Sequence, residues 1–251
     1  METRDKLSTK DNFLSLINMQ TEFIDECKND IERLKDSEKK GIQLYNLPNL
    51  EVIQNKYEMI LMYEYDNLLA TYSMGGDINK ISPMYKNIIS LMEIAWKKES
   101  DYFLLLGMTS IGIMIDTSND IFDKLIHIVK ENDLNDFLVD YLIQYKEPNR
   151  CIETNNFYFD VPYRNIQDIL EKFQINKEEA ILRMKKYLTK EWYRGHSNYG
   201  WHNIHKINIY AYSGYWSFES GAIVKILGLD DNCLKDCTYY PYDMVHWLDN
   251  K

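Results

Sequence analysis

The chain has 251 residues, 45% of them hydrophobic, and a formal net charge of −10. A chain of this length buries roughly three quarters of its unfolded surface, enough for one large domain or two small ones. The negative balance argues against direct nucleic-acid binding, which needs clustered Lys and Arg, and ten glycines with five prolines are too few turn points for a many-stranded β-sandwich.

Hydrophobic spacing lays the chain out as successive helices. Phe13, Ile17, Gln20, Ile24, Cys27, Ile31 and Leu34 step by four and three, which predicts a long helix over residues 7–35 with a polar interruption at Gln20. A second helix is predicted from Pro48, whose fixed φ suits a first turn, to Tyr72, with Leu50, Ile53, Tyr57, Leu61, Tyr65 and Leu68 inward. Gly75-Gly76 stops it. Ser82 as cap and Pro83 as first residue open a third helix through Tyr85, Ile88, Met92 and Trp96. Residues 102–115 are apolar on nearly every side and read as a helix enclosed by its neighbours.

Beyond Asp116 the predicted helices shorten. Ser118 caps one with core residues Phe122, Leu125, Ile126 and Val129, and Leu134, Phe137, Leu138, Tyr141 and Leu142 mark the next. Residues 147–161, broken by Pro148 and Asn155-Asn156, form a loop or a short hairpin. Pro162 starts a helix through Phe173, and Asn176 with Glu179 three residues later resembles a capping box for a helix ending near Trp192. Residues 194–210 are aromatic and histidine-rich without clear periodicity.

The densest stretch is Tyr210 to Met244. Gly214 suits a tight turn, and Tyr215, Phe218, Ala222 and Ile226 fall on one face of a helix that Gly228 ends. Glu219 lies on that same face, so its carboxylate is expected to be buried and to need a partner. After it come a charged turn and packed aromatics, with Pro241 pushing Tyr240 toward extended geometry. The expected fold is all-α: two packed helical halves, residues 1–116 and 117–251, forming an antiparallel bundle.

Three motifs in this order and spacing, GYWSFE (Gly214, Tyr215, Trp216, Ser217, Phe218, Glu219), GLDD (residues 228–231) and YYPYD (Tyr239, Tyr240, Pro241, Tyr242, Asp243), resemble the C-terminal domain of the PoNi family of polymorphic nuclease immunity proteins. The resemblance covers residues 118–248. The first half is similar to the family's N-terminal domain in helical layout, with Tyr72, Gly75-Gly76 and Trp96 as anchors. Cys233 departs from the pattern where a serine-like residue is usual, as does Ser220-Gly221 where alanines are. The resemblance implies a helical bacterial antidote that binds and blocks a secreted DNase toxin, with no enzymatic activity and no cofactor or metal of its own.

Charge distribution suggests how such an antidote docks. Residues 51–160 carry 18 acids against nine bases and hold nearly all of the excess negative charge. That excess is either a solvated, solubilising surface or an acidic docking face for a basic DNA cleft. The contacts expected on the second reading are Asp116, Asp120, Asp123, Asp133, Asp136 and Asp140, then Asp230 and Asp231, with Tyr239, Tyr240 and Tyr242 as aromatic anchors. The expected partner is a basic nuclease domain. No nucleic acid or membrane is expected as partner, and a homodimer is compatible with the sequence.

The competing classes are a metal-assisted hydrolase using Glu219 with His202 or His205, and a helical scaffold without a toxin partner. His202 and His205 are three apart with no glutamate between them, unlike a zincin pair, and the expected role of these histidines is to hold their loop onto Glu219. Cys233, Cys237 and His246 lack the paired spacing of a structural zinc site. The charged N-terminus lacks the apolar run of a signal peptide, which places the chain in the cytoplasm with its four cysteines reduced.

Overall fold

The computed structural model describes residues 2–98, 101–152 and 154–250, and every regular element among them is helical. Two compact units emerge: Met1–Ser100 with His205–Gly214, and Asp101–Ile204 with Tyr215–Lys251. The expected division after residue 116 falls inside the second unit, because the buried helix before it packs with the C-terminal elements.

The first unit is built on α1 (Lys10–Lys39) and α2 (Asn49–Ser73), with α3 (Ile81–Ala95) packed on α2. Ile24, Cys27, Ile31 and Leu34 of α1 form a core with Ile53 and Ile60 of α2. The expected seam holds, except that Leu16 rather than Ile17 is buried. Gln20 keeps its place in the seam by donating from Nε2 to Asp66 Oδ2 at 3.3 Å. Leu50, expected inward, is 64% exposed, because the inward face of the first turn of α2 is taken by Asn49, Val52 and Ile53. Asn49 is the buried residue there, bonding the carbonyl of Ile42 and the Glu38 carboxylate.

Gly75 ends α2 at φ +84°, and a Cβ there would stand 2.7 Å from the backbone oxygen of Glu2. Only glycine lets the N-terminal segment cross so closely. The next helix begins at Ile81 rather than at Pro83: a 3-10 turn, Ile78–Lys80, leads into it under an Asp77 cap, and Pro83 sits inside the first turn, where a missing N–H costs nothing.

Residues 205–214 belong to this unit although they lie far along the chain. Tyr212 is buried, donates its hydroxyl to the Asp5 carboxylate and packs against Phe13. Ser213 donates to Asp66 at 3.0 Å, and its carbonyl accepts from the Ser73 hydroxyl at 2.8 Å. The unit also carries a polar flaw. Tyr85 is fully buried and its hydroxyl has no hydrogen-bond partner among the described residues. Removing an unsatisfied buried group regains about 1–3 kcal/mol at most, so Tyr85→Phe is expected to raise the urea midpoint of unfolding; a lower midpoint would show that the hydroxyl is satisfied in solution.

The second unit is organised around α4 (Tyr102–Met114), which is buried on nearly all sides as expected. Asp101 caps it, accepting from the backbone N–H of Phe103 and Leu104. Around it pack α5 (Asn119–Glu131), α6 (Phe137–Gln144), α12 (Phe218–Leu227) and α13 (Tyr242–Val245). Ser118 stands at the N-cap of α5, where its carbonyl, and not its side chain, takes the Phe122 N–H.

The described part of residues 147–161 contains no strand, so no hairpin forms there. The segment is held instead by aromatic stacking: Tyr158 lies on Tyr102 at 5.4 Å and Phe159 on Phe103 at 5.1 Å. It leads into α7 (Asp160–Tyr163) and α8 (Asn165–Ile175), which divide the single helix expected from Pro162. Asn176 then caps α9 (Lys177–Lys186) through the Glu178 N–H at 2.7 Å. From there the helix widens into a π-helical turn, Tyr187–Trp192, and closes with α10 (Tyr193–Gly195); the short α11 (Ile204–Ile207) follows.

Candidate partner-binding surface

The motif helix is shorter than its periodicity suggests. Tyr215 to Ser217 lie outside the helix, α12 starts at Phe218, and Gly228 ends it in the left-handed conformation at φ +57°. Glu219 is 4% exposed, and its carboxylate accepts from the Ser217 hydroxyl at 2.6 Å and the Tyr187 hydroxyl at 3.1 Å. Ser220 completes the cluster by sharing a hydrogen bond with Ser217 at 2.7 Å. Burial drives the Glu219 pKa up to about 7, against the opposing pull of these hydroxyls. The π-helical turn carries Tyr187 and Trp192, and so delivers the phenol that the carboxylate requires.

The histidines do not hold Glu219 as expected. His196 is fully buried, with Nδ1 against the Trp192 carbonyl at 2.7 Å and Nε2 against the Tyr163 hydroxyl at 3.0 Å. Burial lowers its pKa to about 4, so it is neutral at physiological pH. His202 stacks on Tyr193 at 4.2 Å in the second unit, while His205 lies 5.6 Å from Tyr212 in the first. Among the described residues no group of three or more His, Cys, Asp or Glu side chains is placed to hold a metal.

The acids singled out by the sequence divide into two sets. Asp120, Asp123 and Asp133 are exposed on or beside α5, and so is Asp230. Asp116, in the left-handed region at φ +48°, is exposed but paired with Lys146 at 2.6 Å, and that hydrogen bond holds its carboxyl below the ordinary range.

Asp136, Asp140 and Asp231 are buried and used internally, which corrects the expectation that they face a partner. Asp136 caps α6 through the Val139 N–H and accepts from the Tyr158 N–H at 2.7 Å and the Tyr102 hydroxyl at 3.1 Å. Asp140 is held by Arg150 at 2.6 and 2.9 Å. Asp231 accepts from the Tyr240 hydroxyl at 2.6 Å and lies 2.8 Å from His246 Nε2. Their period placed them beside exposed acids, but a carboxylate at a helix start or beside an arginine is as useful inside as outside.

The aromatic turn divides similarly. Tyr240 is buried, whereas Tyr239 and Tyr242 are half-buried, as is Trp216. Tyr239 stacks on Tyr193 at 5.1 Å and packs against Trp192 at 5.0 Å. Tyr242 covers His246 at 4.3 Å, Asp243 is exposed, and Pro241 packs close to Gly221. A Cβ on Gly221 would meet Met114, Pro241 and Val245 within 3.0 Å, so in this packing the departure from alanine matches the space available. His246 lies between Asp231 and Asp249; burial works against its charge, but the two carboxylates outweigh it and raise its pKa.

The surface also includes a feature the sequence reading missed. A groove is lined by Leu188, Thr189, Lys190, Tyr193, Arg194 and Tyr239, joining the π-helical turn to the YYPYD turn. Its sequence trace was the run of bases from Arg183 to Arg194, which has no obvious function until the fold brings Tyr239 beside it.

Comparison with known proteins agrees with this geometry. The crystal structure of protein PA2201 from Pseudomonas aeruginosa is similar, with a TM-score of 0.61 at 16% identity over 98% of this chain and 90% of that one, a likeness of fold alone. No curated protein matches the chain. The model for the N-terminal part of PoNe immunity proteins matches residues 4–127, and the model for their C-terminal part matches residues 134–244. With nearly the whole chain covered, and the buried Glu219, the αL Gly228 and the YYPYD turn forming one packed structure, the chain belongs to the PoNi family: immunity proteins against PoNe nuclease toxins, and not enzymes.

Proposed function

We propose that this protein neutralises a cognate secreted PoNe-type DNase by one-to-one binding in the cytoplasm, with an acidic face meeting the basic cleft that the nuclease uses for DNA. The observation that carries the reading is the family match over both halves of the chain. No helix among the described residues is long and apolar enough to cross a membrane, which fits a partner met in water. The docking carboxylates are the exposed ones: Asp120 and Asp123, one turn apart on α5, with Asp133 and Asp230. Complementary charge would speed encounter and select the cognate toxin.

The test is calorimetry with a PoNe-type nuclease domain from the same genome, made catalytically inactive, at low and high salt. A one-to-one complex weakened by salt is expected. Asp120→Lys with Asp123→Lys should weaken it about tenfold or more at low salt, while the chain stays folded: both side chains are exposed, and a lysine in the first turn of α5 costs about 0.3–1 kcal/mol. Unchanged affinity and salt dependence would sink the acidic face, and no binding by the folded wild type would sink the function.

A further inference from the structure

We infer that the groove between the π-helical turn and the YYPYD turn receives an acidic segment of the protein partner, a carboxylate side chain beside an apolar one. This inference rests on the proposed toxin partner but assigns it a second, oppositely charged contact. The groove has a buried floor at Leu188, a wall of stacked Tyr193 and Tyr239 rings with an interplanar angle of 13°, and Lys190 and Arg194 exposed on its rim. The wall is fixed in advance: the Tyr193 hydroxyl donates to Asn203 Oδ1 at 3.1 Å and accepts from the Asn203 N–H at 3.2 Å, and the Tyr239 carbonyl accepts from the Ser217 N–H at 2.9 Å. Binding to a preformed wall loses little ordering entropy.

Charge identifies the occupant. Arg183 and Lys186 of the same helical run are both paired with Glu191, at 2.9 and 3.4 Å, while Lys185, Lys190 and Arg194 have no carboxylate within ion-pair distance among the described residues, and of these three only Lys190 and Arg194 line the groove. In a chain of net charge −10, two exposed cations without an ion-pair partner beside a buried leucine make this groove locally positive. They stand four residues apart, close enough to share one carboxylate or take two, and the arginine can bind bidentately. Tyrosine and arginine are also, with tryptophan, the side chains enriched in binding hot spots. A nucleic acid would find stacking rings here too, but two cations on a polyanionic protein give little counterion release to hold its phosphates.

The two contacts respond in opposite directions to one substitution, which makes them separable. Lys190→Glu with Arg194→Glu takes the net charge from −10 to −14, since each reversal changes it by two. If the partner met only the acidic face, the extra negative charge would leave affinity for the inactivated nuclease domain unchanged or raise it. The groove instead requires a loss of at least tenfold, with the chain still folded because both side chains are exposed and neither has an ion-pair partner among the described residues. Lys190→Gln with Arg194→Gln should lose less than the reversal. Unchanged or tighter binding by the reversed variant overturns the groove alone, and no binding by the wild type overturns it together with the proposed function. Binding of a fluorescent single-stranded oligonucleotide by the wild type, lost on reversal, would mark nucleic acid as the occupant and overturn the acidic segment.

Discussion

Asp136→Ala is expected to lower the unfolding free energy by about 3–5 kcal/mol, among the largest effects available to a single substitution in this protein. The carboxylate is fully buried and takes three donors: the Val139 N–H at 2.8 Å, the Tyr158 N–H at 2.7 Å and the Tyr102 hydroxyl at 3.1 Å. Alanine would remove the α6 cap, worth about 1 kcal/mol, and strand the other donors away from water. It would also release the aromatic loop, since the Asp136 contact to Tyr158 fixes the ring stacked on Tyr102. Asp136→Asn keeps one accepting oxygen but turns an N–H toward a donor, so it should fall between alanine and wild type. Urea unfolding followed by circular dichroism measures both. A loss under about 1 kcal/mol for alanine would show that this carboxylate is dispensable.

Glu219→Gln is expected to change how stability depends on pH. With its folded pKa near 7 against an ordinary 4.5, Glu219 keeps its proton in the folded protein where the unfolded chain has released it. Its contribution is therefore complete below pH 4.5 and is lost as pH rises to about 7. The loss is on the order of 3 kcal/mol. His196 acts in the opposite direction: with a folded pKa near 4 against 6.5, it costs stability as pH falls through that interval.

Wild type and Glu219→Gln both keep His196, so the difference between their profiles isolates Glu219. Relative to wild type, Glu219→Gln should gain stability progressively between pH 4.5 and 7 and then level off. Parallel profiles would mean that the carboxylate ionises normally and that solvent reaches it.

The helical class of the fold was legible because its signal is local. The period of Phe13, Ile24, Ile31 and Leu34, the all-apolar run of α4, the Asn176 cap and the Gly228 terminator each act within a few residues, where helical geometry alone decides what faces inward. The burial of Glu219 followed from the same arithmetic, and the three C-terminal motifs pointed to the family that the comparisons confirm.

What only the tertiary structure decided was the partner of each polar group. An aspartate in a short helix reads the same whether it faces water, as Asp123 does, or caps a helix under a tyrosine, as Asp136 does. Tyr187 meets Glu219 across 32 residues, and Tyr212 meets Asp5 across 207; no local pattern encodes either pairing. The same holds for residues 205–214, which belong with the N-terminal unit, and for Lys190 and Tyr239, which form one groove only once the chain has folded. Periodicity determines which way a side chain points from its own helix, but a hydrogen bond or a groove depends on a second segment, and its position is fixed by packing over the whole unit.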